Sequence, residues 1–186
     1  MRNLISLAHI SLDGFMAGPG GDMSFIRFDA ALQDHVYPQF ATVETAVYGR
    51  TTYQMMESYW PGQLDATDAH ARTHARWYRD VAKIVASRTL TAAKPEVRVI
   101  GDDIVGALRA EKQKPGGDIM IFASPTLTHA LAAADLVDVW QLTIQPAILG
   151  AGLPLFAHVE KRANLELQAS KAFDSGVLAV RYGTRR

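Results

Sequence analysis

The residues from Thr45 to Trp60 form the strongest candidate for chemistry in this sequence. An apolar stretch that favours a β-strand ends at Gly49, and a helix is predicted to open at Thr51 and Thr52. Glycine lets a ligand approach the backbone closely, a threonine can cap a helix, and free N–H groups at a helix start favour an anion. Arg50 adds a fixed cation. The pattern predicts a phosphate site, although many αβ proteins carry such residues without binding anything.

Two further strand ends could also meet an anion. Ser124 follows a predicted strand over 118–123, and with Pro125 it is typical of a helix N-cap and first turn. Arg88 follows a strand predicted over 81–86 and lies just outside its carboxyl end, where open αβ sheets bind ligands. The sequence contains neither a P-loop nor a G-x-G-x-x-G motif, so a standard Rossmann dinucleotide site is not expected.

The candidate for metal binding is the pair His70 and His74, which share one face of a helix predicted over 65–80. The sequence has no H-E-x-x-H, and Arg72 and Arg76 lie beside the histidines. We therefore predict no metal site and a solvated helix at this position.

Composition sets the class of the protein. The chain has 186 residues, of which 48% are hydrophobic and 20% charged, which is typical of one globular αβ domain over 1–186. The net charge is zero, so neither nucleic acid nor an anionic membrane is expected as a partner. There is no apolar run of transmembrane length, no signal-peptide pattern and no cysteine. A cytoplasmic location and the absence of thiol chemistry follow as expectations.

The order of the elements predicts the fold class. Helices and strands alternate early and strands dominate late, which favours a mostly parallel sheet with helices on both faces and a C-terminal antiparallel hairpin. Strands are predicted at 3–12, 81–86, 96–100, 118–123, 137–145, 164–173 and 177–182, and helices at 29–42, 65–80 and 103–112. The Gly-rich segment Asp13 to Gly21 is either a lid or a plain surface loop. The hairpin is placed at an edge of the sheet, and its apolar residues Val177 to Val180 suggest a homodimer.

Five segments in this order resemble the dihydrofolate reductase-like superfamily. They resemble most closely the stand-alone bacterial proteins related to the reductase domain of the bifunctional riboflavin-biosynthesis deaminase–reductase. The segments are Ser11 to Pro19, Tyr48 to Tyr53, Ser87 to Leu90, Ser124 to Leu127 and Leu136 to Phe156. Together they cover essentially the whole chain. The resemblance implies a three-layer αβα sandwich and an oxidoreductase that uses NADPH.

The resemblance also implies which residues hold the cofactor. The joint after Tyr48 holds NADPH phosphates, the turn at Ser87 lies by the adenosine 2′-phosphate, and the second joint receives the pyrophosphate. The implied residues are Gly49, Arg50, Thr51, Thr52, Ser87, Arg88, Ala123, Ser124, Pro125, Thr126 and Leu127. The related enzymes usually place a Gly pair where this chain has Ala123 and Ser124, so weaker pyrophosphate binding is expected here.

We therefore predict an NADPH-dependent reductase that transfers hydride to a C=N or C=O of a small heterocyclic substrate. The proton donor candidates are Asp13 and then Asp29, although Asp13 also suits a turn and Asp29 a helix cap. Neither Asp29 nor Asp34 matches the acidic position of the folate enzymes, so dihydrofolate is not the expected substrate. Four aromatic residues could line a substrate pocket or belong to the core: Phe15, Phe28, Tyr53 and Trp60.

Two alternatives stay open. A riboflavin-pathway reductase would act on a ribosylated pyrimidine, whose phosphate calls for basic residues beyond Arg50 and Arg88. A non-catalytic nucleotide-binding or scaffold protein could keep the same fold without turnover.

Overall fold

The computed structural model describes residues 1–91, 94–157 and 162–185. The strands are β1 (Leu4–Ser11), β2 (Phe15–Ala17), β3 (Val43–Gly49), β4 (Ala82–Ala86), β5 (Val97–Ile100), β6 (Asp118–Phe122), β7 (Val139–Gln145), β8 (Leu153–Pro154), β9 (Leu165–Ala172) and β10 (Leu178–Thr184). The α-helices are α1 (Ala30–Val36), α2 (Arg50–Tyr59), α3 (Ala69–Asp80), α4 (Ile104–Gln113) and α5 (Pro125–Ala133).

Eight of the strands form one mixed sheet in the order β5-β4-β3-β6-β1-β7-β10-β9. The pairs β1–β7, β3–β4 and β4–β5 are parallel, whereas β10 is antiparallel to both β7 and β9. The strands β2 and β8 pair separately as a small antiparallel sheet. The predicted α/β class, with a mostly parallel mixed sheet and a C-terminal antiparallel hairpin, is confirmed.

The first compact unit contains Met1–Arg2 and Asp29–Met120. Val47, Val85 and Leu108 are completely buried in its core. Aspartate side chains cap its helices α1, α3 and α4, because each accepts a hydrogen bond from a backbone N–H of the first turn. These caps explain why the helices begin where they do, and the predicted helix over 65–80 accordingly begins only after Asp68.

The second compact unit contains Asn3–Phe28 and Ile121 onwards. Its strand β1 is buried along nearly its whole length, as the almost unbroken apolar run predicted. Leu131 and Leu155 are completely buried on the elements around it. Within the described residues of both units, no helix is long and apolar enough to cross a membrane.

The C-terminal hairpin lies at the edge of the sheet, as predicted, but its apolar stretch Val177 to Val180 does not form that edge. Strand β10 lies between β7 and β9, and Val177, Ala179 and Val180 are buried. The edge strand is β9, in which every residue is exposed. The apolar side chains of β10 are therefore explained by packing within the protein, and the homodimer stays a prediction without that support.

Candidate functional site

The first strand-to-helix joint lies in the first unit, where β3 runs directly into α2. Gly49 occupies the N-cap position with extended backbone angles (φ −74°, ψ 162°) and, as a glycine, supplies no side-chain cap. The predicted threonine cap is wrong, because the helix begins at Arg50 and places Thr51 and Thr52 inside its first turn. The start of α2 carries the positive end of the helix dipole, which suits an anion.

The neighbouring strand β4 ends beside this joint. Gly49 is in register with Ala86, so the residues that follow each of them leave the same edge of the sheet. Ser87 closes a tight turn, since its Oγ accepts from the backbone N of Leu90 at 2.9 Å and of Thr89 at 3.2 Å. The structure thus brings together the first joint and the turn at Ser87, which the resemblance assigned to the same cofactor.

Two arginines follow these strand ends. The Arg50 side chain is exposed and forms no hydrogen bond or ion pair with another described residue. Arg88 is 79% exposed, and its Nε lies 3.1 Å from Oδ1 of Asp102, which is itself 90% exposed. An ion pair this exposed contributes little stability, so Asp102 does not prevent Arg88 from meeting a phosphate.

The second strand-to-helix joint lies in the second unit, between β6 and α5. Ser124 and Pro125 take the predicted N-cap and first helical positions, but Ser124 does not cap the helix. Its Oγ instead donates to the carbonyl oxygen of Phe122 at 2.8 Å. Ala123 and Ser124 both adopt left-handed backbone angles, with φ of 49° and 51°. Such angles cost an L-residue roughly 1–2 kcal/mol, whereas glycine adopts them without that cost.

The remaining residues assigned to this joint begin α5. Thr126 is exposed at the first turn, whereas Leu127 is 6% exposed and packs into the core. Thr128 fixes the joint from the helix side, because its Oγ1 donates to the carbonyl oxygen of Ala123 at 3.0 Å. Leu127 therefore contributes its backbone and its packing to this joint rather than an exposed side chain.

The carboxylate of Asp13 is held by three donors in the second unit. It accepts from the Ser11 hydroxyl at 2.6 Å, from the Leu149 N–H at 3.1 Å and from the Gly150 N–H at 2.7 Å. These bonds, the Ser11 hydroxyl first, lower the pKa of Asp13 to about 2. At neutral pH the group is ionised and ties the end of β1 to the loop after β7. The geometry gives it an anchoring function, and its assignment as proton donor stays a prediction.

The second acidic candidate, Asp29, caps a helix. Its Oδ1 accepts from the backbone N of Leu32 at 2.9 Å, and the helix α1 begins at the next residue. Asp29 is thus the helix cap that the sequence also allowed. Its assignment as proton donor also stays a prediction.

The predicted lid segment contains structure of its own. Residues Phe15–Ala17 form β2 and pair with β8, and Met16 and Ala17 are buried. Gly152 allows this pairing, since a Cβ added there would lie 2.0 Å from the carbonyl oxygen of Ala17. Only the stretch from Pro19 onwards is continuously exposed. A lid built from this segment would therefore be shorter than predicted.

The four aromatic candidates divide between the units. Phe15 and Phe28 are half-buried in the second unit, where Phe28 meets the ring of His9 edge-on at a centroid distance of 5.1 Å. Tyr53 is 7% exposed in the core of the first unit, next to Tyr48. Trp60 lies against a buried aromatic cluster in the same unit. Tyr53 and Trp60 thus fit the core alternative better, while Phe15 and Phe28 keep accessible surface.

The helical histidine pair does not form a shared site. His74 is buried among aromatic rings, where burial lowers its pKa to about 3, so the prediction of a solvated helix face is wrong for this residue. His70 instead pairs with Oδ1 of Asp34 at 2.7 Å. Among the described residues, no group of three metal-ligating side chains lies together.

A polar column that the sequence interpretation missed lies on β1 and β7 in the second unit. His9 is in register with Thr143, and its Nδ1 lies 2.5 Å from the Thr143 Oγ1. Gln145 Nε2 donates to the same hydroxyl at 3.2 Å, and the backbone N of Arg27 donates to Gln145 Oε1 at 2.9 Å. The available signal was the alternation of polar residues in two otherwise apolar strands.

Burial determines the charge of this column. Although His9 keeps some accessible surface, it is densely surrounded by protein atoms, and this burial lowers its pKa to about 4. His9 is therefore neutral at pH 7. Thr143 and Gln145 are almost completely buried, so the column is a fixed hydrogen-bond arrangement rather than a charged one.

Comparisons with known proteins identify the family of the chain. The model of the RibD C-terminal domain matches residues 2–179. The uncharacterized protein YyaP of Bacillus subtilis (strain 168) is 30% identical over 185 residues, covering 97% of this chain and 94% of its own.

Two solved structures share the fold. A pyrimidine reductase-like protein from Corynebacterium diphtheriae matches with a TM-score of 0.72 and 16% identity, covering 100% of this chain and 92% of its own. A dihydrofolate reductase from Enterococcus faecalis, complexed with NADP(H), matches with a TM-score of 0.65 and 14% identity, covering 99% and 97%. The dihydrofolate reductase-like fold is thereby confirmed, and the chain belongs to the RibD C-terminal domain family.

Proposed function

We propose that this protein is an NADPH-dependent reductase that transfers hydride to a C=N or C=O of a small, heterocyclic substrate. The observation that carries the proposal is the pair of adjacent parallel strands in the first unit. Their last residues, Gly49 and Ala86, are in register, and Arg50 and Ser87–Arg88 follow them at the same edge of the sheet. Membership of a reductase-like family agrees with it.

The residues present suit the phosphates of such a cofactor. The start of α2 carries no side-chain cap, and Arg50 at its first position forms no ion pair with another described residue. A phosphate would meet the positive end of the helix dipole and the Arg50 cation together. Arg88 would hold the adenosine 2′-phosphate in place of its weak contact with Asp102. The assignment of Ala123 to Leu127, at the start of α5, to the pyrophosphate stays a prediction.

The bound cofactor would supply the hydride, so the protein needs no nucleophile of its own. The tasks left to this chain are to hold the substrate, to exclude water and to provide hydrogen bonds. Asp13 would hold the loop after β7 in place through its three donors. Phe15 and Phe28 would offer apolar surface to a flat ring, since both are half-buried.

Two other functions keep specific support. Family membership and the reductase name of the Corynebacterium diphtheriae neighbour favour a riboflavin-pathway reductase for 5-amino-6-(5-phosphoribosylamino)uracil. The second is a non-catalytic nucleotide-binding or scaffold protein of the same fold; the left-handed Ala123–Ser124 pair, expected to weaken pyrophosphate binding, suits its scaffold form.

A steady-state screen of NADPH oxidation separates these functions. Pterins, phosphoribosylated pyrimidines and small heterocyclic carbonyls would each be supplied as substrate. Turnover confined to the phosphoribosylated pyrimidine would assign the riboflavin step, and turnover of other heterocycles would support the broader reductase. Saturable NADPH binding without any turnover across the screen would support the non-catalytic alternative.

We also propose a cytoplasmic protein with a small-molecule substrate and neither nucleic acid nor membrane as a partner. Its homodimer stays a proposal whose test is sedimentation velocity. A concentration-independent monomer mass at micromolar protein would contradict the dimer.

A further inference from the structure

We propose that His9 is a substrate-binding residue of this reductase, donating a hydrogen bond from Nε2 to a carbonyl oxygen of a flat heterocycle. The inference rests on the proposed function for the identity of the reaction. It goes beyond that function by naming the group that recognises the substrate and the substrate feature that it reads. All the contacts that carry it lie within the second unit.

The first step is the orientation of the Gln145 amide. Its Oε1 must face the backbone N of Arg27, because a backbone N–H can only donate. Nε2 therefore faces Thr143, and it donates to the Thr143 hydroxyl at 3.2 Å. One backbone N–H thus removes the usual ambiguity between the amide oxygen and nitrogen.

The second step is the direction of the Thr143 hydroxyl. Thr143 is 2% exposed, and Gln145 and His9 are its side-chain hydrogen-bond partners among the described residues. The hydroxyl accepts from Gln145, so its own proton has one available acceptor, the Nδ1 of His9 at 2.5 Å. Burial keeps His9 neutral at pH 7, with its pKa lowered to about 4. Its single ring proton therefore lies on Nε2.

The third step is the state of that Nε2–H. No other described residue bonds to it, and it is not among the buried atoms that lack a partner, so it reaches accessible space. On the same sheet face, the amide Nε2 of Gln141 is buried without a described partner. The donor that the column presents to a ligand is therefore the His9 Nε2–H. It fits a ligand group that only accepts.

The fourth step is the ligand class. An amide-type carbonyl oxygen accepts hydrogen bonds more strongly than the ring nitrogen of an aromatic heterocycle. The half-buried ring of Phe28, 5.1 Å from the His9 ring, adds an apolar surface beside the donor. A neutral donor of this kind stabilises charge that develops on the carbonyl oxygen during hydride transfer without giving up its own proton.

The tautomer can be measured on the folded protein alone. Long-range ¹H–¹⁵N correlation spectra at pH 7 should show the His9 proton on Nε2 and an unprotonated Nδ1. Thr143→Val removes the hydroxyl with little change of shape and should give a mixture of His9 tautomers. His70, which is half-buried and pairs with Asp34, serves as the internal control and should not change. A proton found on Nδ1 of His9 in the wild-type protein would overturn the proposal.

Ligand recognition is tested with two matched probes, neither of which needs NADPH. Lumazine is a pteridine with two carbonyl groups, and pteridine is the same ring system without them. Lumazine should bind and shift the His9 Nε2–H resonance. His9→Phe should weaken lumazine binding about three- to tenfold, while His9→Gln, which keeps an N–H donor, should recover part of the loss. Pteridine binding should change less in both variants.

The opposing results are distinct. Equal losses for lumazine and pteridine in a folded His9→Phe protein would reduce His9 to a packing residue. Lumazine that fails to bind, or binds without moving the His9 resonance, would likewise refute the proposal. If these probes behave as expected while NADPH shows no binding, the proposed function fails and the carbonyl site stands. If NADPH binds but lumazine does not shift the His9 resonance, the carbonyl site fails and the proposed function stands.

Discussion

At each of the two strand-to-helix joints a strand runs directly into a helix, but the backbone conformations differ. At the first, Gly49 has ordinary extended angles, and Arg50 begins the helix with a positive charge. At the second, Ala123 and Ser124 are both left-handed, and the serine hydroxyl is used on the preceding strand. The first joint therefore has an unstrained backbone and a positive charge, whereas the second has a strained backbone and no charged side chain.

The two joints should therefore affect different quantities: the first the affinity for an anion, and the second the folding free energy. A cation at the first joint attracts an anion at some distance and can be removed with little effect on the fold. The left-handed pair at the second joint costs folding free energy whether or not a ligand binds. Substitutions at the first joint should therefore change cofactor binding, and substitutions at the second should change stability.

The largest effect is expected from Arg88→Ala, at the strand end beside the first joint. A guanidinium can bind a phosphate through two charge-assisted hydrogen bonds. NADPH binding should weaken by roughly 1.5–3 kcal/mol, or about 10- to 150-fold, and NADH binding should not change because NADH lacks the 2′-phosphate. Calorimetry with both cofactors at two salt concentrations measures this.

Arg76→Ala is the matched control, since Arg76 is an exposed arginine on α3. It should leave both cofactors unaffected. Equal weakening of NADPH and NADH in Arg88→Ala, or none in either, would remove Arg88 from the site.

A smaller and less selective effect is expected from Arg50→Ala. Arg50 is exposed, so water and salt screen its charge. We expect about a tenfold loss for NADPH and NADH alike, because both carry the phosphates assigned to this joint. The loss should shrink at high salt. A loss restricted to NADPH would instead place Arg50 at the 2′-phosphate.

At the second joint, Ala123→Gly should stabilise the fold. Relief of the left-handed alanine, worth roughly 1–2 kcal/mol, exceeds the entropy lost by glycine, roughly 0.5–1 kcal/mol. The expected gain is about 1 kcal/mol in the free energy of unfolding measured in urea. Ala107→Gly, within the regular helix α4, is the control of opposite sign, with a loss of about 1 kcal/mol. Destabilisation by Ala123→Gly would show that this joint is not strained.

The smallest effect is expected from Ser124→Gly. The same strain is relieved, but the hydrogen bond from the serine hydroxyl to Phe122 is lost. A hydrogen bond contributes about 0.5–1.5 kcal/mol, so the two changes should nearly cancel. Urea unfolding should give a difference within about 0.5 kcal/mol of zero. A gain as large as that of Ala123→Gly would mean that the hydroxyl contact is not formed.

The first joint was predictable because its signals are local. The apolar strand, Gly49 and the helix start all lie between Thr45 and Trp60, and the helix predicted to open at Thr51 begins one residue earlier, at Arg50. At the second joint, local rules placed Ser124 at the N-cap but could not give its backbone angles. Those depend on contacts such as the bond from the Ala123 N–H to the carbonyl oxygen of Leu7, across 116 positions of the chain.

The errors elsewhere have the same physical origin. Whether β9 or β10 forms the sheet edge depends on pairing with β7, which the composition of the hairpin does not encode. The polar column was missed because His9 meets Thr143 only through the register of β1 with β7. Residue type and spacing predicted the helices, the strands and single strand ends. Contacts between residues of distant strands could be found only from the three-dimensional structure.

The most direct test of the central claim is a calorimetric titration of the folded wild-type protein with NADPH, followed by NADH under the same conditions. We predict saturable one-to-one binding of NADPH and distinctly weaker binding of NADH. Hydrogen exchange should slow at the first turn of α2 and at the turn after β4 when NADPH is bound. A folded protein that gives no signal with millimolar NADPH would contradict the account.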